Sequence, residues 1–276
     1  MTQGEIGAAL AARMQTLLFV PGSRADRFAG ALASGADAVC IDLEDAVPIH
    51  DKDAARRAAL EALGDPRLTV RCNGLGTDFG RSDLELLGAA SKRAPLLFIP
   101  KVEGAEELRA AADLGIGLVP LIETPRGLRL AHEIAAAPGV VAMMFGGGDL
   151  SAELGVELAW EPLLFARSQF LLACAEAGVP AIDVPHIRLD DEAGLEDETR
   201  RAKALGFAAK AAIHPKQIAT INRIMRPSPG EIDEARAACD AFQTAGGAAV
   251  RWNGRMLEAP VMRRYHRILE QGQAYA

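Results

Sequence analysis

Carboxylates stand directly after several short apolar runs of this chain, where packing gives no reason for a charged side chain. Glu123 follows the run GLVPLI and precedes a Thr-Pro turn, and Asp149 follows three glycines. On neighbouring strands, these two carboxylates would supply the hard oxygen ligands that Mg²⁺ prefers, with water and substrate oxygens completing the octahedron. The sequence therefore predicts a two-carboxylate magnesium site. The other polar residues at the ends of apolar runs are Asp42, Glu44, Asp45, Arg71 and Asn73.

Other interpretations of these residues remain open. The acidic group 42–45 could be a solvated turn that leads into a basic helix. Arg71 could form a structural salt bridge with one of those acids. The segment FGGGDL lacks the spacing of nucleotide-binding glycine loops, which excludes a phosphate cradle. The five histidines form no HxxxH or HxH pair, which argues against a zinc site.

The elements that must position these carboxylates alternate along the chain. Apolar runs that are continuous rather than alternating indicate strands covered on both faces. Between them the period becomes helical; in 51–63, for example, Ala54, Ala58 and Leu63 share one side and Arg56 lies elsewhere. Helical patterns also occupy 103–113 and 162–177. The predicted strands are 16–20, 38–43, 68–72, 96–100, 117–122, 140–145, 181–184 and 209–213.

Repeated strand–helix–strand order without hairpin signals predicts an α/β protein with a parallel sheet. Eight units in about 200 residues favour closure into a TIM (β/α)8 barrel over an open doubly wound sheet. In such a barrel the residues that follow the strands meet at one mouth. We predict the barrel over 1–226 and a C-terminal helical extension over 227–276, which packs on its own barrel or on a neighbouring one.

Composition excludes several classes of function. The 276 residues carry 30 Lys and Arg against 37 Asp and Glu, a net charge of −7, which argues against a nucleic-acid partner. The apolar runs are far shorter than the roughly 20 residues of a membrane-spanning helix. The four cysteines lie far apart and residues 1–13 lack a signal-peptide pattern. We therefore expect a cytoplasmic protein without a membrane partner.

Seven motifs, in order, resemble those of one known family. They are LLFVPGSRADRFAGALASGADAVCIDLEDAV, VRCNGL, IPKVE, LIETPRGL, FGGGDLSAELG, AIHPKQI and GRMLEAPVMRR. Together they are similar to the successive motifs of the citrate lyase β-subunit-like family, which belongs with the HpcH/HpaI aldolases and the malyl-CoA and citramalyl-CoA lyases. The match runs from about residue 16 to residue 270 without large gaps.

This resemblance implies a (β/α)8 barrel that forms a homotrimer or a hexamer and uses Mg²⁺. It also implies a small-molecule substrate that is a CoA or acyl-carrier-protein thioester. Carried over by position, the implied metal ligands are Glu123 and Asp149, and Glu123 also lies at the substrate. Arg71 matches the residue that binds the substrate carboxylate. The remaining implied site residues are Glu44, beside the metal with Asp45, and the CoA-contacting Ser23, Arg24 and Arg27.

The tail motif departs from the family at one position. Many relatives carry Asp before the Pro-containing helix, and that carboxylate enters a neighbouring subunit's site as an acid or base. Here the residue is Glu258, one methylene longer. A shift of about one ångström can cost on the order of a hundredfold in rate, so the substitution bears on the implied catalytic role of Glu258.

The resemblance implies a lyase that cleaves a carbon–carbon bond in a 3-hydroxyacyl thioester such as citramalyl-CoA, malyl-CoA or a citryl thioester. The products would be acetyl-CoA and a keto acid. Mg²⁺ would chelate the substrate hydroxyl and carboxylate, and Arg71 would offset the charge of the enolate. The alternatives are a malate synthase, a malyl-CoA thioesterase, or a non-catalytic CoA-binding subunit that keeps the fold.

Overall fold

Eight short parallel strands close into a barrel in the computed structural model, which describes residues 1–274. Each strand pairs with the next in sequence, and the eighth returns to the first through Leu17 and Ala211. The predicted (β/α)8 fold is confirmed. The sixth strand starts later than predicted, because Val140 forms only an isolated bridge with Leu118. The strands are β1 (Thr16–Pro21), β2 (Ala38–Asp42), β3 (Leu68–Arg71), β4 (Leu96–Ile99), β5 (Gly117–Ile122), β6 (Met143–Phe145), β7 (Ala181–Asp183) and β8 (Ala209–Ala212).

Helices surround the barrel and continue beyond it. None of those described is long and apolar enough to cross a membrane. The predicted helix 103–113 is divided into a 3₁₀ turn, Ala105–Leu108, and one α-helical turn. The α-helices are α1 (Gln3–Arg13), α2 (Phe28–Leu32), α3 (Lys52–Ala62), α4 (Asp78–Ala89), α5 (Arg109–Ala112), α6 (Pro125–Arg129), α7 (Ala131–Ala135), α8 (Gly147–Leu154), α9 (Trp160–Ala177), α10 (Glu192–Leu205), α11 (Lys216–Met225), α12 (Pro229–Thr244) and α13 (Ala259–Ala274).

Helix α1 has no counterpart among the predicted elements. A capping box of Thr2 and Glu5 begins it, and its buried Leu10, together with Met14 directly after the helix, joins the side chains that fill the barrel interior. Gly7 lies so close to the carbonyl of Pro95 that a Cβ would clash there. Helix α1 packs on β4 and β5 at the end of the barrel where the strands begin. The opposite end, where the strands finish, is therefore free for polar residues.

The buried face of α3 differs from the predicted one. Ala55, Arg56 and Ala59 are buried, whereas Ala54 is exposed. Burial of Arg56 is possible because its Nε donates to Asp83 Oδ1 at 2.6 Å, so the charge is paired.

The chain divides into two compact units, Met1–Met225 and the segment from Arg226 onward. The second unit contains α12, α13 and a hairpin of β9 (Val250–Trp252) and β10 (Arg255–Leu257). Asn253 and Gly254 both have positive φ, as a two-residue hairpin loop requires. The small core of this unit consists of Ala235, Ala238, Leu257, Met262 and Tyr265.

Candidate active site

A cavity of about 420 Å³ lies at the barrel mouth, beyond the C-terminal ends of the strands. Part of its wall is apolar and consists of Phe19, Leu121, Met144, Val184 and Ile213. Residues predicted for the site also line the cavity: Asp42, Asp45, Arg71, Glu123 and Asp149. Chain segments far apart in sequence thus bring acidic groups, one arginine and an apolar surface into one pocket, as expected for the functional end of a (β/α)8 barrel.

Asp42 fixes the guanidinium group of Arg71. The two residues are register partners on β2 and β3. Nε and Nη2 of Arg71 donate to the two carboxylate oxygens of Asp42, each at 2.6 Å. The Arg71 guanidinium also lies over the ring of Phe19, 5.3 Å from its centroid. A bidentate pair of this kind sets the plane of the arginine as well as its position.

The other edge of Arg71 faces the two acids that follow β2. Its Nη1 lies 2.9 Å from Glu44 Oε2 and 3.5 Å from Asp45 Oδ2. Burial alone would lower the pKa of Arg71, but Asp42, Glu44 and Asp45 raise it above its ordinary value. The structural pairing considered for Arg71 is therefore present. The solvated-turn interpretation is wrong for Glu44, which is buried, while the side chain of Asp45 is 59% exposed.

Glu123 and Asp149 approach the cavity from β5 and α8. Glu123 is buried, and its Oε2 accepts a hydrogen bond from the backbone N–H of Lys101 at 2.8 Å. Asp149 lies in the first turn of α8, with its side chain 44% exposed. Gly146 lets this turn begin against Glu123, because a Cβ there would lie 2.9 Å from Glu123 Cδ.

Lys101 follows β4 and is a site residue that was not predicted. Its Nζ lies 3.2 Å from Asp149 Oδ2, 3.3 Å from Glu44 Oε1 and 3.9 Å from Asp45 Oδ1. Burial alone would lower the pKa of Lys101, but these carboxylates raise it above its ordinary value. The signal was present in the motif IPKVE, where a lysine directly follows an apolar strand.

Negative charge exceeds positive charge at this mouth. Two cations, Arg71 and Lys101, face five carboxylates, which are those of Asp42, Glu44, Asp45, Glu123 and Asp149. Burial raises the pKa of Glu44 to about 7, although Arg71 opposes the shift. Burial and the nearby Glu44 raise the pKa of Glu123 to about 8. A further positive charge would therefore be stabilised here.

The donor set fits a magnesium ion. Glu123 and Asp149 offer hard carboxylate oxygens. Oε2 of Glu44 is buried and accepts no hydrogen bond, although it forms an ion pair with Nη1 of Arg71. Within residues 1–274, no group of three or more His, Cys, Asp or Glu side chains is arranged to hold a metal. Two protein carboxylates would leave the rest of the octahedron to water and substrate oxygens, which is how Mg²⁺ is commonly bound.

Lys52 supports the loop that carries Glu44. It is buried on α3, and its Nζ donates to the carbonyls of Leu43 and Glu44 at 2.8 and 3.0 Å and to Asn73 Oδ1 at 2.6 Å. Asn73, one of the polar residues noted after β3, in turn donates to Asp83. These contacts link the segments after β2 and β3 beneath the cavity.

Ser23, Arg24 and Arg27 are not among the residues that line the cavity. Ser23, Arg24 and Arg27 are exposed in the turn after β1, and Arg24 donates to Asp26 at 2.9 and 2.7 Å. Glu258 is exposed at the end of β10 in the second unit, where its backbone carbonyl accepts two N–H groups of α13. Roles in CoA binding and in catalysis remain predictions for these residues.

Comparison with known proteins decides the family. Residues 15–215 match the sequence profile described as HpcH/HpaI aldolase/citrate lyase. The chain belongs to the HpcH/HpaI aldolase/citrate lyase family. Residues 172–276 also match a profile described as a C–C bond lyase of the TIM-barrel fold. The resemblance drawn from the motifs and the assignment to a family of carbon–carbon lyases are confirmed.

Relatives within the HpcH/HpaI family carry related names. The citrate lyase subunit beta-like protein of Mycobacterium tuberculosis (strain H37Rv) is 38% identical over 89% of this chain and 90% of its own length. A (3S)-malyl-CoA thioesterase of Cereibacter sphaeroides (strain KD131) is 36% identical over 84% of each chain. The crystal structure of the M. tuberculosis protein CitE in complex with magnesium, acetoacetate and coenzyme A has a TM-score of 0.84 and 36% identity, covering 95% of this chain and 99% of that one.

Proposed function

We propose that this chain is a Mg²⁺-dependent lyase that cleaves a 3-hydroxyacyl-CoA thioester, such as citramalyl-CoA, malyl-CoA or a citryl thioester, into acetyl-CoA and a keto acid. The observation that carries the proposal is the excess of carboxylates around Glu123 and Asp149, opposite a fixed arginine, at the mouth of a barrel of this family. The similar protein crystallised with magnesium, acetoacetate and coenzyme A supports it.

Glu123 and Asp149 would hold the ion. When bound, Mg²⁺ supplies Lewis-acid polarisation of the substrate hydroxyl and of the carbonyl that replaces it. Arg71 would bind the carboxylate of the substrate through Nη1, where that carboxylate would replace Glu44 and Asp45, since Asp42 occupies Nε and Nη2. The apolar wall of Phe19, Leu121 and Met144 limits the access of water to the reacting carbons.

Cleavage requires two proton movements. The substrate hydroxyl loses its proton as its oxygen becomes a carbonyl, and the bonding electrons of the broken carbon–carbon bond pass to the thioester enolate. Glu44 is the proposed acceptor, because its pKa of about 7 suits proton transfer near neutral pH. The enolate then takes a proton at carbon, which completes acetyl-CoA, and Glu258 is the proposed donor.

The test is steady-state cleavage of malyl-CoA, citramalyl-CoA and citryl-CoA in the presence of Mg²⁺. We expect the unchanged protein to cleave at least one of them and Asp149→Ala to lose almost all of that activity. Glu153→Ala, an exposed carboxylate on the same helix α8, is the matched control and should remain active. If Asp149→Ala cleaves the substrate as fast as the parent, the metal role of Asp149 is wrong.

Glu258 and the proposed trimer or hexamer need a different test. If Glu258 of one subunit completes the site of another, Glu258→Gln and Asp149→Asn should each be inactive alone. Mixing and reassembling the two variants should then restore part of the activity, because some sites receive an intact residue of each kind. Mixtures that stay inactive, or a monomeric mass in solution, would exclude the shared site.

Thioester hydrolysis is the second candidate function, and the 36% identical malyl-CoA thioesterase favours it. Product analysis separates the two activities, because hydrolysis releases free CoA and leaves the hydroxy acid intact. A non-catalytic CoA-binding subunit would release neither product. Its affinity for CoA would also be the same in Glu123→Gln as in the parent, with or without Mg²⁺.

A further inference from the structure

Lys101 has a backbone conformation that a lysine adopts at a cost. Its φ is +53°, and Asn253 in the hairpin of the second unit is the other non-glycine residue with positive φ among residues 1–274. The left-handed region costs a residue with a Cβ about 1 kcal/mol or more, whereas glycine enters it freely. The conformation directs the backbone N–H of Lys101 to Glu123. Glycine could donate the same hydrogen bond, so the backbone contact does not explain why lysine occupies this position.

The side chain supplies the explanation. Its ammonium group lies within 4 Å of carboxylates from two separate elements, Glu44 and Asp45 after β2 and Asp149 on α8. The N–H of the same residue donates to Glu123, which directly follows β5. One residue therefore contacts every carboxylate that approaches the cavity except Asp42, which Arg71 binds on both oxygens.

We propose that Lys101 is a positioning residue that serves as the internal counter-ion of the acidic mouth. Its ammonium group holds Asp149 and Glu44 in place while the site lacks a divalent cation and withdraws when the cation binds. Its backbone N–H keeps Glu123 oriented in both states. The proposal rests on the proposed function, because it takes Glu123 and Asp149 as the metal ligands.

Competition for the same oxygen atoms gives a measurable consequence. Asp149 Oδ2, which contacts the ammonium group, is also an oxygen that a metal ion would use. Removing the ammonium group should lower the stability of the metal-free protein and raise its affinity for a divalent cation. One unit charge a few ångströms away changes the affinity for a divalent ion by about tenfold even at the dielectric constant of water.

The experiment measures Mn²⁺ binding to the full chain, with free Mn²⁺ followed by electron paramagnetic resonance. We expect Lys101→Met to bind Mn²⁺ about tenfold more tightly than the parent. Lys101→Arg keeps the charge and should bind like the parent. Lys92→Met is the matched control, because Lys92 is exposed and precedes β4 at the opposite end of the barrel. Metal-free Lys101→Met should melt below the parent and gain more in melting temperature from Mn²⁺.

Lys101→Gly keeps the experiment decisive if Lys101→Met does not fold. Glycine retains the backbone N–H and accepts the positive φ, so this variant removes the ammonium group without strain and should show the same tightening. If the parent binds Mn²⁺ and neither variant binds it more tightly, the role of Lys101 is overturned while the proposed function stands. If neither the parent nor any variant binds Mn²⁺, the metal assignment fails and the role of Lys101 fails with it.

Discussion

Replacement of Gly146 by alanine tests how narrowly the fold fixes Glu123. A Cβ at residue 146 would lie 2.9 Å from both Cδ and Oε1 of Glu123, and closer still to its Cγ. Ordinary contacts of a Cβ begin near 3.4 Å, so the Glu123 side chain has to move by roughly an ångström or more. Since Glu123 is buried and held by the N–H of Lys101, that movement breaks its hydrogen bond.

A misplacement of about one ångström costs on the order of a hundredfold in rate. We therefore expect Gly146→Ala to lose about a hundredfold in kcat for thioester cleavage and to bind Mn²⁺ more weakly than the parent. Overpacking should also cost about 1–3 kcal/mol of folding free energy, so the assays belong well below the melting temperature.

Gly148→Ala is the matched control for Gly146→Ala. A Cβ at Gly148 meets no atom within 4 Å, although the two glycines are separated by one residue. Mn²⁺ affinity should remain that of the parent in this variant. Equal Mn²⁺ affinity and activity for Gly146→Ala and the parent would refute the view that the position of Glu123 is essential.

Four further outcomes follow from the described contacts. Lys52→Met should cost about 2–3 kcal/mol in urea unfolding, because three buried acceptors lose their donor, while Arg57→Met on the exposed side of α3 should change little. Lys210→Met should cost about 3–5 kcal/mol, because buried Asp183 and half-buried Glu198 lose a partner at 2.9 and 2.7 Å. Lys216→Met, at an exposed lysine, should be neutral in the same assay. Burial would raise the pKa of Glu198, but Lys210 and His186 lower it below its ordinary value. The carboxylate of Glu198 therefore contributes its full share of folding free energy above its unfolded pKa of about 4.3, and that share is lost in more acidic solution. The stability difference between the parent and Glu198→Gln, measured against pH, should shrink in that acidic range. Arg24→Gln should raise KM for the CoA ester and leave kcat unchanged if Arg24 binds CoA, and an unchanged KM would remove it from that role.

The fold was predictable because the apolar runs are continuous. Strands buried on both faces carry that pattern, and eight of them separated by helices leave few architectures other than a closed barrel. Helix α1 was missed because its residues do not show what they cover; Leu10 and Met14 become core only against the closed barrel. The buried face of α3 was predicted wrongly because the pairing of Arg56 with Asp83 depends on the placement of α4.

The carboxylates of the site and Arg71 were predictable, whereas the detailed contacts among them were not. Glu123 and Asp149 stand out because each follows an apolar strand at the functional end of a barrel. The bidentate contact of Asp42 with Nε and Nη2 of Arg71 depends on the register of β2 and β3. An apolar pattern does not specify that register. The motif IPKVE marks Lys101 as a lysine after a strand, but the contacts of Lys101 depend in addition on its positive φ, which that motif does not indicate.

Product analysis of thioester cleavage tests the central claim most directly. With Mg²⁺ present, we predict that the protein converts at least one of malyl-CoA, citramalyl-CoA and citryl-CoA into equal amounts of acetyl-CoA and the matching keto acid. EDTA should abolish the reaction and added Mg²⁺ should restore it. Release of free CoA with the hydroxy acid intact, no cleavage of any of the three thioesters, or cleavage that EDTA does not affect would contradict the claim.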